Sequence, residues 1–223
     1  MKPTMTTLGI IGSGNIGSQL ARAFARLGHD IVIANSRGPA SLEEFAAEVT
    51  AGGGGTVTPG TVEEASRAGE LVVLTVPLGV VPSIPSESLA GRIVIDTNNY
   101  YPGRDGSIAE LDEERLTTAE WVAQHLPEST VVKAFNHIPA ADISAHAEPS
   151  GSSTRRALMV YGDDDAAVRR VTELVEAIGF DAIVGGPLSD SWRIQRDTPG
   201  YGPRFAAAEL REQLAAVRSY GER

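Results

Sequence analysis

The stretch that decides the fold is Leu8-Gly9-Ile10-Ile11-Gly12-Ser13-Gly14-Asn15-Ile16-Gly17. An apolar run ends in a Gly-x-Gly-x-x-Gly pattern, and a segment of helical periodicity follows it. In this order Gly12 permits a tight turn, Gly14 lets the backbone approach a pyrophosphate, and Gly17 lets the helix pack closely on the strand. The helix N-terminus offers unpaired N–H groups to phosphates. The stretch therefore predicts a dinucleotide site formed by Gly12, Ser13, Gly14, Asn15, Ile16 and Gly17.

Composition and charge exclude several classes of protein. The chain has 223 residues, no cysteine and a formal net charge of −10. An acidic chain is a poor partner for nucleic acid or an anionic membrane, and no apolar run approaches the ~20 residues of a membrane span. The absence of cysteine fits a reducing compartment, and the first residues lack the apolar stretch of a signal peptide. We expect a cytoplasmic protein that binds neither nucleic acid nor membrane.

Apolar runs alternate with segments of helical periodicity along the chain. The runs predict strands at residues 8–11, 30–34, 56–58, 71–76, 92–96, 131–135, 156–161 and 181–184. Helices are expected at 15–27, 41–51, 61–69, 86–90, 117–126, 163–178 and 203–219. This order predicts an α/β fold with a doubly wound, mostly parallel sheet. We divide it into a dinucleotide-binding Rossmann domain, 1–139, and a small C-terminal α/β extension, 140–223, that completes the substrate crevice.

Several polar residues precede the predicted helices. Ser41 and Thr61 each begin a capping box, and Thr117 or Thr118 caps a later helix. The three acids Asp163–Asp165 superficially resemble a metal site. Capping of the following helix explains them, so we expect no metal.

The residues after the second strand decide the choice of cofactor. NAD-preferring folds carry an acid there, about 20 residues beyond the glycines, to bind the ribose 2′-OH. Here the tip is Asn35-Ser36-Arg37, and the first acid after it is Glu43. Arg37 can pair with a 2′-phosphate, and Asn35 and Ser36 can hydrogen-bond it. The pattern favours NADP(H), although an exposed arginine in a turn is the alternative.

Two further strand ends supply candidate crevice residues, since ligands bind at the carboxyl ends of parallel strands. Thr75, Val76 and Pro77 should border the nicotinamide-side ribose. After the fifth strand, Asn98 and Asn99 could hold a carboxamide or a substrate carbonyl, and Tyr100 could stack on a flat ring. A purely local Asn-rich turn is the alternative.

The segment after the sixth strand carries the candidate catalytic residues. His137 is the best-placed titratable residue, and with Asn136 it could donate a proton or orient a substrate. A structural histidine bonded to a carbonyl is the alternative. Further along, Trp192 and the segment 199–203 are candidates for the substrate wall or for a dimer contact.

These motifs together resemble a known family. Gly12–Gly17, Ser36-Arg37, Thr75-Val76-Pro77, Asn136-His137-Ile138-Pro139, Gly162-Asp163-Asp164 and Gly186-Pro187-Leu188 occur in this order, and they look like those of the deazaflavin-dependent NADP reductases. The resemblance implies a homodimer with a C-terminal part that closes over the second substrate. It implies hydride transfer between NADPH and a deazaflavin, coenzyme F420. The nucleotide module is also similar to that of the membrane ferric reductases, around Lys133-Ala134-Phe135-Asn136.

The acceptor stays open at this point. The family often has His-Thr-Ile-Pro where this chain has Asn136-His137-Ile138-Pro139, and the loop 98–102 is more polar than in deazaflavin reducers. A second interpretation is an NADPH-dependent reductase of a small carbonyl, imine or quinone, with His137 or a tyrosine as proton donor. A third is a non-catalytic NADP(H)-binding sensor or interaction module.

Overall fold

The structure is a computed structural model that describes residues 5–217. Within that range its strands are Thr7–Ile11 (β1), Asp30–Ala34 (β2), Val57–Pro59 (β3), Leu71–Leu74 (β4), Ile93–Asp96 (β5), Thr130–Lys133 (β6), Ala157–Gly162 (β7) and Asp181–Gly186 (β8). The α-helices are Asn15–Arg26 (α1), Glu43–Ala51 (α2), Val62–Arg67 (α3), Pro102–Asp105 (α4), Ala109–Asp112 (α5), Thr118–His125 (α6), Ala140–Ala145 (α7), Asp165–Ala177 (α8) and Ala207–Ala216 (α9).

All eight strands belong to one sheet with the order β3-β2-β1-β4-β5-β6-β7-β8. Neighbouring strands are parallel except β6 and β7, which are antiparallel. The strand order reverses between β1 and β4, and such a switch point opens a ligand crevice at the carboxyl ends. The doubly wound, mostly parallel α/β sheet is confirmed. Strands β7 and β8 extend this sheet, and the division at residue 139 stays a prediction.

The central strands are buried on both faces because their side chains alternate between two apolar clusters. Ile10, Val73 and Ile95 pack with the cluster that includes α1 and α8. Ile11 and Leu74 pack with the opposite cluster, which includes α6. Burial on both faces is typical of parallel sheets and explains why these strands are continuous apolar runs.

Local capping differs from the sequence prediction at one site. Thr61 and Thr117 form complete capping boxes with Glu64 and Glu120. The capping role of Ser41 is wrong, because Ser41 lies within a 3-10 turn, Pro39–Leu42, and α2 begins at Glu43 without a side-chain cap.

The C-terminal half follows the predicted order of strands and long helices, with α8 and α9 shorter and β8 longer than predicted. Asp164 caps α8 by accepting a hydrogen bond of 2.8 Å from the Ala167 N–H. The last helix is shorter than predicted, and residues 218 and 219 of that prediction lie outside the described residues. No helix between residues 5 and 217 is long and apolar enough to cross a bilayer.

Candidate functional site at the switch point of the sheet

Two neighbouring cavities lie at the carboxyl ends of the strands. The outer cavity, of about 610 Å³, is lined by Ile11, Gly12, Ser13, Gly14, Asn35, Ser36, Arg37, Val62, Thr75, Val76, Pro77, Val80, Ser83, Ile84 and Pro85. The inner cavity, of about 420 Å³, is lined by Gly14, Asn15, Ile16, Thr75, Val76, Pro77, Thr97, Asn98, Asn99, Tyr101, Arg104, Asn136, Ile138, Pro139, Ala140 and Tyr201. They share Gly14 and Thr75–Pro77, so the glycine loop and the end of β4 stand between them.

The three motif glycines differ in what surrounds them. A Cβ on Gly12 would lie 2.1 Å from the Thr75 carbonyl oxygen, and the φ of Gly12 is +109°. A Cβ on Gly17 would lie 2.0 Å from the Gly12 carbonyl oxygen. A Cβ on Gly14, in contrast, would meet nothing within 4 Å. The fold therefore excludes side chains at Gly12 and Gly17, whereas Gly14 faces open space that a ligand can fill.

The N-terminus of α1 is suited to an anion. Gly14 is its N-cap, no side chain caps it, and no acid lies in its first turn. The first N–H groups of a helix have no partner inside the helix and carry its positive dipole end. Because neither a cap nor an acid satisfies them, these groups are available to a phosphate.

The end of β2 is fastened to the glycine loop. The Asn35 Nδ2 donates to Ser13 Oγ over 3.0 Å, and the Asn35 Oδ1 accepts from the Arg37 N–H over 2.9 Å. Ser36 and Arg37 are exposed at the rim of the outer cavity. Between residues 5 and 217 the Arg37 guanidinium forms neither an ion pair nor a hydrogen bond with another side chain or carbonyl. Its charge is therefore available to a ligand.

A buried ion pair holds the loop after β5. Lys133 Nζ lies 3.0 Å from Asp96 Oδ2, and both side chains are fully buried. Lys133 also donates to the Asn98 carbonyl oxygen, and Asp96 Oδ1 accepts from the Asn98 N–H over 2.8 Å. Burial raises the pKa of Asp96 and lowers that of Lys133, while their mutual attraction opposes both changes. The pair fixes the backbone of Asn98 from both sides.

The side chain of Asn98 is buried beside the inner cavity without a hydrogen-bond partner among the described residues. The residue is 3% exposed, and neither its Oδ1 nor its Nδ2 has a hydrogen-bond partner in the described part of the chain. An unpaired buried amide costs about 1–3 kcal/mol. A ligand in the inner cavity that offers both a donor and an acceptor would remove that cost.

Asn99 and Asn136, which also line the inner cavity, bind each other. Asn99 Nδ2 donates to the Asn136 carbonyl oxygen over 2.7 Å, and Asn136 Nδ2 donates to Asn99 Oδ1 over 3.2 Å. Asn136 Nδ2 also donates to the Ile194 carbonyl oxygen over 2.7 Å. The structure thus brings together predicted residues that follow β5 and β6. The hydrogen bonds of Asn136 join these two segments to Ile194 in the cavity wall.

The expectation that His137 acts as a proton donor in the crevice is wrong. The residue is 3% exposed and does not line either cavity, and its Nε2 accepts a hydrogen bond of 3.1 Å from the Met159 N–H. Burial, reinforced by the charges of Arg156 and Lys133, lowers the pKa of His137 to about 3. The physical reason is the turn after β6, where Phe135 has a φ of 61°: Asn136 and Ile138 line the inner cavity, and the residue between them points away.

Tyr100 and Trp192 also lie outside the crevice, which corrects their predicted contact with substrate. The Tyr100 hydroxyl donates to Asp112 Oδ1 over 2.7 Å and accepts from the Ile108 N–H over 3.0 Å. Trp192 is 7% exposed, and its ring packs under the Arg193 guanidinium at 4.4 Å. Neither side chain borders the two cavities.

Two other tyrosines line the inner cavity. The hydroxyl oxygens of Tyr101 and Tyr201 are 2.7 Å apart. The guanidinium groups of Arg104 and Arg196 lie 4.7 and 5.3 Å from the centroid of the Tyr101 ring. Burial and the hydrogen bond with Tyr101 raise the pKa of Tyr201. The sequence indicated both tyrosines only weakly, because they lie in two segments predicted to border the substrate, 98–102 and 199–203. No sequence pattern indicated Arg104.

Arg156 holds the segment of Tyr201 in place. Its side chain is 1% exposed, and it donates to the carbonyl oxygens of Gly202 and Pro203 over 2.8 and 3.1 Å. Asp142 balances its charge at 2.9 Å. Residues after 139 therefore contribute directly to the inner cavity.

Comparisons with known proteins agree with this geometry. Residues 7–100 match the sequence model of the family described as NADP oxidoreductase, coenzyme F420-dependent. The metalloreductase STEAP3 of Rattus norvegicus is 30% identical over 193 residues, which are 84% of this chain and 35% of the relative. The metalloreductase STEAP2 of Homo sapiens is 26% identical over 191 residues, or 85% of this chain and 35% of the relative. The chain thus spans about a third of the length of these metalloreductases.

Solved structures share the whole fold. A hypothetical protein from Sinorhizobium meliloti has a TM-score of 0.75 and 33% identity, covering 91% of this chain and 95% of that one. An Arthrobacter sp. protein, provisionally named an F420-dependent NADP reductase, has a TM-score of 0.68 and 24% identity over 84% of this chain and 87% of that one. At that identity the second likeness concerns the fold alone. Residues 7–100, which include the glycine loop, thus match the family of coenzyme F420-dependent NADP oxidoreductases, and the chain shares its fold with the Sinorhizobium meliloti protein.

Proposed function

We propose that this protein binds NADP(H) across the two cavities and transfers a hydride between it and a second substrate in the inner cavity. The observation that carries the proposal is the open space at Gly14, set between both cavities at the uncapped N-terminus of α1. A side chain at Gly14 would meet no other part of the described chain, so the space there is left open for a ligand. A pyrophosphate is the ligand that such a loop accepts.

The outer cavity supports the phosphorylated cofactor. Asn35, Ser36 and Arg37 border it, and the Arg37 guanidinium has no partner of its own among the described residues. A 2′-phosphate would accept charge-assisted hydrogen bonds from this group. No carboxylate stands among the residues that line the outer cavity, so the arrangement does not provide the acceptor that a free ribose 2′-OH requires.

The inner cavity supports the reactive end of the cofactor. Thr75, Val76 and Pro77 line both cavities and would border the ribose on this side. If it turned towards the cavity, the unpaired amide of Asn98 would offer donor and acceptor groups that match a carboxamide. The bound cofactor would supply hydride chemistry, and the chain supplies position and orientation.

The family nominates a deazaflavin, coenzyme F420, as the second substrate. The alternative acceptor is a small carbonyl, imine or quinone, and the polar lining of the inner cavity favours it. Four asparagines, two tyrosines and one arginine surround that space. The homodimer that the family implies belongs to the same proposal and is testable by sedimentation.

Titration of Arg37→Ala with NADPH and NADH tests the cofactor assignment. The substitution removes a charge-assisted contact worth about 1.5–3 kcal/mol, so we expect NADPH to bind roughly 10- to 150-fold more weakly. NADH, which lacks the 2′-phosphate, should bind within twofold of its wild-type affinity. Arg67→Ala is the matched control, since Arg67 pairs with Glu63 on the surface and lines neither cavity. Equal losses for the two cofactors would contradict the role of Arg37.

A further inference from the structure

We propose that the paired hydroxyl groups of Tyr101 and Tyr201 are the proton donor of the reaction, and that the acceptor is a small molecule reduced at a C=O or C=N bond. The inference rests on the proposed function, because it requires a reduced nicotinamide in the same cavity. It adds the source of the proton and the class of the acceptor.

The geometry leaves one hydroxyl hydrogen free to meet a ligand. The two hydroxyl oxygens are 2.7 Å apart and come from segments 100 residues apart in the chain. A pair of phenols has two O–H hydrogens, and one hydrogen bond between them uses only one. Among residues 5–217 neither hydroxyl has another hydrogen-bond partner. Both side chains line the inner cavity, so the second hydrogen is available there.

We assign Tyr101 as the residue that gives up its proton because two arginines lie beside its ring. The guanidinium groups of Arg104 and Arg196 lie 4.7 and 5.3 Å from the centroid of its ring. Positive charge beside a phenol stabilises the phenolate that remains after proton transfer. Asp105 and Asp197 pair with these arginines at 2.8 and 3.2 Å, which keeps the guanidinium groups in position and offsets part of their charge. Tyr201 would then donate its own hydroxyl hydrogen to the Tyr101 oxygen.

The balance of the reaction requires such a donor. A hydride from the reduced nicotinamide forms the new C–H bond, and the electron pair of the C=O or C=N double bond moves to the oxygen or nitrogen. That atom takes the Tyr101 hydroxyl proton, Tyr101 recovers a proton from Tyr201, and Tyr201 is reprotonated by solvent. One hydride and one proton thus complete a two-electron reduction. Because His137 is buried and turned away from both cavities, it cannot take this part.

The inner cavity also limits the size and chemistry of the acceptor. Its volume of about 420 Å³ must hold the acceptor together with the nicotinamide. The lining is rich in amide, phenol and guanidinium groups, which suit a small polar molecule better than an extended apolar ring. The buried Arg156 side chain donates to the carbonyl oxygens of Gly202 and Pro203, which directly follow Tyr201. These hydrogen bonds hold the backbone beside Tyr201 in place.

The test compares wild type with Tyr101→Phe, Tyr201→Phe and the control Tyr100→Phe. NADPH affinity is measured first by fluorescence titration, and NADPH oxidation is then followed with cyclohexanone, pyrroline and a deazaflavin. A positioned general acid contributes about 10²- to 10⁴-fold to the rate. We expect Tyr101→Phe to lower kcat at least about 100-fold and Tyr201→Phe roughly tenfold, with NADPH affinity unchanged within about twofold. Tyr100→Phe, whose hydroxyl contacts Asp112 outside the crevice, should keep the wild-type kcat.

Binding of isobutyramide to the protein loaded with NADP⁺ gives a readout that needs no turnover. This amide presents a carbonyl oxygen but is not reduced, and calorimetry should show roughly tenfold weaker binding to Tyr101→Phe, the loss of one hydrogen bond. Wild-type protein that binds NADPH but reduces neither cyclohexanone nor pyrroline overturns this inference alone. So does a Tyr101→Phe variant with wild-type kcat and amide affinity. Wild-type protein that does not bind NADPH overturns the proposed function itself.

Discussion

Substitution of Gly14 by alanine should separate ligand binding from folding. A Cβ at this position meets nothing within 4 Å, and the backbone, with φ −69° and ψ −167°, suits alanine. The entropic gain of about 0.4–1 kcal/mol from Gly→Ala offsets the poorer N-cap, so stability should change by less than about 1 kcal/mol. Binding should respond differently, because the methyl group occupies the approach of the pyrophosphate. Losing two charge-assisted hydrogen bonds of about 1.5–3 kcal/mol each weakens NADPH roughly 10²- to 10⁴-fold.

Gly17→Ala is the matched control for that experiment. Its Cβ would lie 2.0 Å from the Gly12 carbonyl oxygen, so the backbone must move and stability should fall by about 1–3 kcal/mol or more. Urea unfolding and NADPH fluorescence titration are measured on both variants. If Gly14→Ala is stable and binds NADPH within about threefold of wild type, the assignment of the phosphate site is refuted. If Gly17→Ala is as stable as wild type, the packing argument fails instead.

Two further predictions concern buried polar residues. His137 has a pKa lowered from 6.5 to about 3, so the unfolded chain binds its proton first and stability falls as the pH decreases from about 6.5 towards 3. Between pH about 7.5 and 5.5 this proton binding lowers the free energy of unfolding, measured with urea, by about 1.4 kcal/mol. The His137→Gln variant should not show that loss. If its free energy of unfolding falls with pH as steeply as that of wild type, the buried state of His137 is contradicted. Lys133→Met leaves Asp96 buried without its cation, so the free energy of unfolding should fall by about 3–5 kcal/mol. The double variant Lys133→Met/Asp96→Val should recover most of that loss. A single-variant loss below about 1 kcal/mol would refute this role of the pair.

The fold was predictable because its signals are local. The apolar runs of β1, β4 and β5 and the glycine loop each depend on residues adjacent in sequence, and parallel strands buried on both faces need no distant partner to be recognised. The strand ends were less certain. β4 ends at Leu74, earlier than predicted, and Thr75 and Val76 turn into the cavities instead.

The candidate site was only partly predictable because side-chain direction beyond a strand depends on backbone geometry. Phe135 has a φ of 61°, which breaks the extended path after β6 and helps to turn His137 inward. In the same way Tyr101, not Tyr100, lines the crevice. The contact of Tyr101 with Tyr201 joins positions 100 residues apart, and no local pattern reveals such a contact.

We expect a hydride to pass between NADP(H) and an acceptor at this crevice. NADPH dideuterated at the reactive nicotinamide carbon can be incubated with the protein and with cyclohexanone, pyrroline or a deazaflavin, and the products analysed by mass spectrometry. We predict one deuterium per molecule of reduced acceptor, and loss of that transfer in Gly14→Ala. Reduced acceptor without deuterium, or NADPH that stays unoxidised with every acceptor, would contradict the account.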